Sequence, residues 1–248
     1  MSYLEGVYWD LDGTIANTEL EAHLPAFNAS FDALGIDWYW DEKTYIDLLK
    51  INGGKNRIAY YANLKNTNFT QEFINTIHLE KQRKYLSILK EGAVTLKDGV
   101  NRLVNELKIK EIRQFIVTSS SRAQVSLLVD LLFGEKTPFE FFISSEDVDS
   151  HKPHPLPYLK AIALSGIKVS NSIVFEDSLP GVKSSLSAKI PTICVKSNIP
   201  TFYDQDIELK CLVNSIGDEK NNTKILIGPP LKGKYLNFEY LDKFLNNY

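Results

Sequence analysis

Cysteine is nearly missing from this chain of 248 residues, with Cys194 and Cys211 the only two. That excludes a cysteine-built zinc cluster and argues against a disulfide framework. An excess of positive charge is missing as well. Lysine and arginine number 28 against 31 aspartates and glutamates, a net charge of −3, which speaks against general nucleic-acid binding. No apolar stretch is long enough to span a bilayer. The start, Met1-Ser2-Tyr3-Leu4-Glu5-Gly6, leads at once into a strand and lacks the pattern of a secretory signal. Repeats and low-complexity tracts are absent. With 44% hydrophobic residues the chain can bury one large core or two modest ones. The expectation is a soluble enzyme of the cytoplasm, or of an organelle stroma had a targeting segment been removed. No membrane or nucleic-acid partner is expected. The oligomeric state is not legible, and a monomer suits the composition.

The coarse pattern changes twice along the chain. Residues 4–9 read as a buried strand. Residues 16–92 read as amphipathic helices, with apolar residues at helical spacing. One helix covers Glu19 to Leu34, and Pro25 inside it kinks it or marks its true start. A second follows Asp41 as N-cap, a third follows Gly53-Gly54, and a fourth runs from Thr70 to about Leu89, ending at Gly92. Beyond Gly92 strands and helices alternate. Strands are expected at Ile112–Val117, Phe139–Ile143, Ile173–Phe175 and Thr192–Val195, with helices between them. Such alternation implies a parallel sheet covered by helices. The segment 217–233 is polar and rich in glycine and proline, which suggests a surface excursion before a last helix from Phe238 to Leu245.

Polar residues gather where the apolar strands end. The first strand runs into Asp10-Leu11-Asp12-Gly13-Thr14. Two carboxylates flanking one residue of extended chain point to the same side and repel unless a cation or proton separates them. Taken alone, this is also compatible with an acidic turn. The second segment is Val117-Thr118-Ser119-Ser120-Ser121-Arg122. A hydroxyl at a strand end can bond a phosphate oxygen, and amides opening a helix favour anions. Serine runs are also ordinary helix caps. Thr118 and Ser119 are expected to face a ligand and the later serines to cap. The third is Ser150-His151-Lys152-Pro153-His154-Pro155-Leu156-Pro157-Tyr158, whose alternating prolines stiffen the loop that carries Lys152. In the fourth, Ser172-Ile173-Val174-Phe175-Glu176-Asp177, a carboxylate pair ends a buried strand with no basic residue after it until Lys183. Oxygen ligands in this number suit magnesium better than a salt bridge.

The order Asp-x-Asp-Gly-Thr, Thr-Ser, Lys-Pro, Glu-Asp resembles the four motifs of the haloacid-dehalogenase-like phosphotransferases, and the resemblance spans most of the chain. It implies an α/β fold with a parallel-sheet, Rossmann-like core from residues 1–15 and 93–248 and an inserted α-helical cap from residues 16–92. It further implies that Asp10 attacks phosphorus and that Asp12 protonates the leaving alcohol and then activates water. Thr118, Ser119 and Lys152 would hold phosphoryl oxygens. Mg²⁺ would be held by the Asp10 carboxylate, the Asp12 backbone carbonyl and Asp177, with Glu176 binding directly or through water. Asp12 argues against a true dehalogenase, because expelled halide takes no proton.

Within that family, Gly53-Gly54-Lys55-Asn56-Arg57-Ile58, Ala26-Phe27-Asn28 and Asp37-Trp38-Tyr39-Trp40-Asp41 resemble the CbbY-type sugar phosphatases. This implies a small-molecule sugar phosphate as substrate, a bisphosphate such as xylulose-1,5-bisphosphate. In the cap, two glycines and two cations at a helix start would make a phosphate site from Gly54, Lys55 and Arg57. The same residues can be read as a hinge before an ordinary basic helix. His23 on the first cap helix either meets substrate or packs. Two other functions use the same scaffold: a β-phosphoglucomutase-like phosphotransferase, and a ligand-binding member without catalysis. The intact set of Asp10, Asp12, Thr118, Lys152, Glu176 and Asp177 speaks against the last.

Overall fold

The computed structural model describes residues 3–51, 53–134, 136–197 and 207–248. The chain divides into two compact units. One is Asn17–Thr95; the other is built from the chain up to Ala16 and from Leu96 onward.

The second of these is a helix-covered sheet. Its strands are β1 (Gly6–Trp9), β2 (Arg113–Val117), β3 (Phe141–Ile143), β4 (Ser172–Glu176), β5 (Thr192–Val195), β6 (Leu212–Val213) and β7 (Ile225–Ile227). Their order across the sheet is β3-β2-β1-β4-β5-β6-β7. Every neighbouring pair is parallel except β6 and β7, which are antiparallel. All four residues of β1 and all five of β4 are buried, as strands covered on both faces require. Tyr8 stacks on Phe115 at 4.9 Å on one face, and Trp9 stacks on Phe175 at 4.4 Å on the other. Each of these fully buried aromatics stabilises the fold by roughly 2–3 kcal/mol of transfer free energy. Wedged between β2 and β4, β1 has its carboxyl end at the point where the strand order reverses, the place where open α/β sheets bind ligands.

Two short strands escape a reading of periodicity. One is β6; the other, β7, lies inside the segment 217–233 that reads as a surface excursion. Strands of two and three residues offer too few positions for alternation to register. The helices of this unit are α5 (Val100–Ile109), α6 (Arg122–Phe133), α7 (Leu156–Ser165), α8 (Leu179–Ser187) and α9 (Phe238–Asn246).

The unit Asn17–Thr95 contains α1 (Leu24–Ala33), α2 (Glu42–Leu48), α3 (Gly54–Leu64) and α4 (Gln71–Lys90). A π-helical turn, Glu19–His23, runs directly into α1, and Pro25 is in the first turn of α1, at the junction where the hydrogen-bond pattern changes. Asp41 and Thr70 cap α2 and α4 by accepting from Thr44 N and Phe73 N. The core here is aromatic: Phe27, Phe31, Trp40 and Tyr45 are fully buried, joined by Ile58 and Ile77. Asn52 lies outside the described residues. Among the described residues no helix is long and apolar enough to cross a membrane.

Candidate active site

The parallel sheet delivers four polar segments to one edge. Asp10 follows β1 directly, and its N–H donates to Phe175 O at 3.0 Å. The chain then turns at Gly13, whose φ of +88° is a conformation that side chains resist. A Cβ there would also lie 2.2 Å from Asp177 Oδ2, so only glycine lets the two loops approach. Thr14 is buried and donates from Oγ1 to Asp177 Oδ1 at 3.2 Å. Local sequence thus explains the turn, and the turn fixes Asp177 from across the sheet.

Lys152 is the centre of the charge arrangement. Its ammonium is buried and donates to Asp10 Oδ1 at 2.7 Å, Glu176 Oε1 at 2.6 Å and Val117 O at 2.8 Å. Those three bonds use all the donors that an ammonium has. Burial works to lower the Lys152 pKa, but Asp10 and Glu176 more than offset it, so the group is held above its ordinary value and stays charged. Asp10 is pushed well above the usual carboxylate range, first by burial and then by the charge of Glu176, with Lys152 opposing. Glu176 is fully buried and also accepts from Tyr158 Oη at 2.6 Å. Burial and the Glu176 charge push the Tyr158 phenol well up, so it remains a donor.

Ligand oxygens of Asp10, Glu176 and Asp177 all lie within 4.8 Å of one another, and all three residues are buried. Asp10 and Glu176 share the Lys152 ammonium and the Lys97 charge acts on Asp177, so three buried carboxylates this close together still favour additional positive charge. A hard cation with oxygen ligands fits this donor set, which is carboxylate throughout.

Asp12, two residues beyond Asp10 on the same loop, is partly buried. Its Oδ2 accepts from Ser120 Oγ at 2.5 Å and from Thr118 Oγ1 at 3.4 Å. This corrects the reading of the serine run. Ser121 does cap α6, in a reciprocal arrangement with Gln124, but Ser120 turns to Asp12 instead. The reason is tertiary: β2 ends beside β1, so a serine two residues past Thr118 meets the Asp12 loop. Ser119 is exposed. Thr118 is buried, with Oγ1 also accepting from Ser120 N at 3.1 Å.

The helical unit holds a separate concentration of cations. Lys81 is buried on α4, and its ammonium donates to His23 Nδ1 at 2.6 Å. It also lies 5.0 Å from the Phe27 ring centroid and 4.9 Å from that of Tyr85, contacts that favour a cation away from water. His23 stacks on Tyr85 at 4.3 Å. His78 packs against the start of α3, where a Cβ on Gly54 would be 2.9 Å from its ring. Burial, then the charges of Lys81, Lys55, His23 and Arg57, lower the His78 pKa to about 4. Arg57 donates from Nε to Ile51 O at 2.9 Å and lies over the Tyr45 ring, whereas Lys55 is exposed. Lys81 and His78 escape the motif reading, yet Lys81 had a signal. The buried stripe of α4 is Ile74, Ile77, Lys81, Tyr85 and Leu89, and a lysine in such a stripe is out of pattern. His78 carried no such signal.

Comparison with known proteins shows the family and the fold. The family model described as haloacid dehalogenase-like hydrolase matches residues 7–195. The chain is 34% identical over 196 residues to Protein CbbY of Rhodobacter capsulatus, covering 78% of this chain and 86% of that protein. The crystal structure of CbbY from Rhodobacter sphaeroides in complex with xylulose-(1,5)bisphosphate is similar at 30% identity and a TM-score of 0.77, covering 86% of this chain and 94% of that one. A β-phosphoglucomutase from Clostridium difficile, 22% identical with a TM-score of 0.73 over 99% of this chain and 98% of its own, shares the fold.

Proposed function

Because the chain belongs to the haloacid dehalogenase-like hydrolase family and is a phosphatase of that family, we propose that it is magnesium-dependent. We further propose that it hydrolyses a sugar bisphosphate of the xylulose-1,5-bisphosphate kind through an aspartyl phosphate. One observation carries the reaction: a buried aspartate at a strand end, held by a buried lysine, beside a second aspartate held by hydroxyls.

Asp10 attacks phosphorus through a carboxylate oxygen. An O–P bond forms to Asp10 as the bond from phosphorus to the sugar oxygen breaks. Asp12 gives its proton to the departing alcohol, then takes one from the water that cleaves the aspartyl phosphate and frees Asp10. The Ser120 hydroxyl, at 2.5 Å, aims Oδ2 of Asp12 for both steps, and the Thr118 hydroxyl leaves its longer 3.4 Å contact with Asp12 when it turns to a phosphoryl oxygen. Lys152, Thr118 and Ser119 receive the phosphoryl oxygens. All three Lys152 donors are committed, so a phosphoryl oxygen takes the place of one existing partner. Asp10, the Asp12 backbone carbonyl and Asp177 would hold Mg²⁺, with Glu176 binding it directly or through water, and the ion would supply positive charge for the transferring group.

We assign the helical unit as the cap that reads the remainder of the substrate. A bisphosphate brings a second dianion, and Lys152 is committed to the first. His23, Gly54, Lys55 and Arg57 are the cap residues we assign to it, and the buried Lys81 and His78 beside them support that choice. The CbbY structure with xylulose-(1,5)bisphosphate lends the same support from a relative. A compartment such as the cytoplasm or an organelle stroma suits two free, buried cysteines.

A phosphate-release screen over sugar mono- and bisphosphates tests the substrate. Lys55→Ala or Arg57→Ala should lower kcat/KM for the bisphosphate by a factor on the order of 10–100, taking ~1.5–3 kcal/mol for a lost charged hydrogen bond. A small aryl phosphate should be almost unaffected. Equal losses on both substrates, or none on either, would remove the bisphosphate assignment and leave the phosphatase.

A further inference from the structure

The geometry points to Tyr158 as a positioning residue, whose hydroxyl pins the Glu176 carboxylate so that Lys152 stays shared between Glu176 and the nucleophile Asp10. The inference rests on the phosphatase reading above and assigns a role to Tyr158, the residue that ends the segment carrying Lys152.

Tyr158 is fully buried on α7 and packs in the core beside Val117 and Val174. A phenylalanine would satisfy that packing. A hydroxyl there is costly unless it finds a partner, because a buried O–H gives up its water. Its partner is Glu176 Oε1, at 2.6 Å, the same oxygen that takes Lys152 at 2.6 Å. The ring serves too: the Lys152 ammonium lies 5.1 Å from its centroid. One side chain therefore touches both members of the Lys152–Glu176 pair.

The consequence follows from competition for one cation. Asp10 and Glu176 both pull on Lys152, at 2.7 and 2.6 Å. A Glu176 free to turn would gather the ammonium to itself and leave Asp10 less well oriented. The other oxygen of Glu176 accepts from Ser178 Oγ at a longer 3.3 Å. The Tyr158 hydroxyl, a donor to the shared oxygen, fixes where Oε1 stands and supplies part of the hydrogen bonding that Lys152 would otherwise have to supply alone. Lys152 can then also reach Asp10 and Val117 O.

The test is Tyr158→Phe, made alone and in a Glu176→Gln background, with an aryl phosphate as substrate. The ring volume is kept, and circular dichroism checks the fold. The expected result is a fall in kcat on the order of tenfold, as for a misplaced reacting group, with KM nearly unchanged. In the Glu176→Gln background the same change should add little, because the route through Glu176 is already broken. Losses that multiply in the double variant, or an unchanged kcat in the single one, overturn the inference. A second readout needs no turnover: inorganic phosphate with magnesium should raise the Tm of the wild type more than that of Tyr158→Phe. Equal shifts count against Tyr158. A wild type that hydrolyses no phosphate ester contradicts the phosphatase reading instead, and the thermal shifts then decide on Tyr158 by themselves.

Discussion

His78 offers a quantitative check on the cation cluster of the helical unit. Its pKa is lowered from 6.5 to about 4, by burial first and then by Lys81, Lys55, His23 and Arg57. The fold therefore favours the neutral ring. Its contribution to stability is fully present above pH 6.5 and is lost as the pH falls through the window from 6.5 to about 4. Linkage across that window gives about 2 kcal/mol by pH 5 and about 3 kcal/mol by pH 4. The ring is only partly buried, and solvent screening reduces this to about 1–2 kcal/mol. Urea unfolding of the wild type and of His78→Gln, followed between about pH 7 and pH 4.5, isolates the term, because other acid-labile groups cancel in the difference. The variant should lose less stability on acidification than the wild type. An NMR titration of the imidazole protons reads the pKa directly, and pyrophosphate should move it upward if the cluster takes an anion. A His78 that titrates near 6.5, or two proteins with the same acid dependence, would falsify the cluster's electrostatic reading.

Three further outcomes concern the chemistry. Asp10→Asn should abolish phosphate release while leaving the circular dichroism spectrum intact, since an amide is no anionic nucleophile; full turnover in protein free of wild type rules out the covalent route. Chelator should remove activity and magnesium restore it, and rates untouched by excess chelator contradict a cation at Asp10, Glu176 and Asp177. Ser120→Ala should lower kcat on the order of tenfold with little change in KM, the size of one hydrogen bond to a charged group; an unchanged kcat means that the hydroxyl does not orient Asp12.

Much of the molecule is legible in the linear chain because the determinants are local. Apolar runs that end abruptly in Asp10, Thr118 and Glu176 mark buried strands and the edge that carries the chemistry, since a strand covered on both faces must be apolar until it leaves the sheet. Asp41 and Thr70 mark helix starts because capping is a bond to an N–H only a few residues away. The spacing of Asp10, Asp12, Lys152 and Asp177 relates the chain to its family before any contact is known. Tertiary structure decided the partners of those groups. Ser120 belongs to a cap by its sequence and to Asp12 by its position, because two strands end side by side. Tyr158 looks like one more core aromatic until its hydroxyl is found on Glu176. Lys81 is a misplaced cation on a helix stripe until His23, Phe27 and Tyr85 close around it. In each case the bond joins residues from 18 to 108 positions apart. Periodicity records which side of an element is buried, and only the packing of one element on another decides what that side meets.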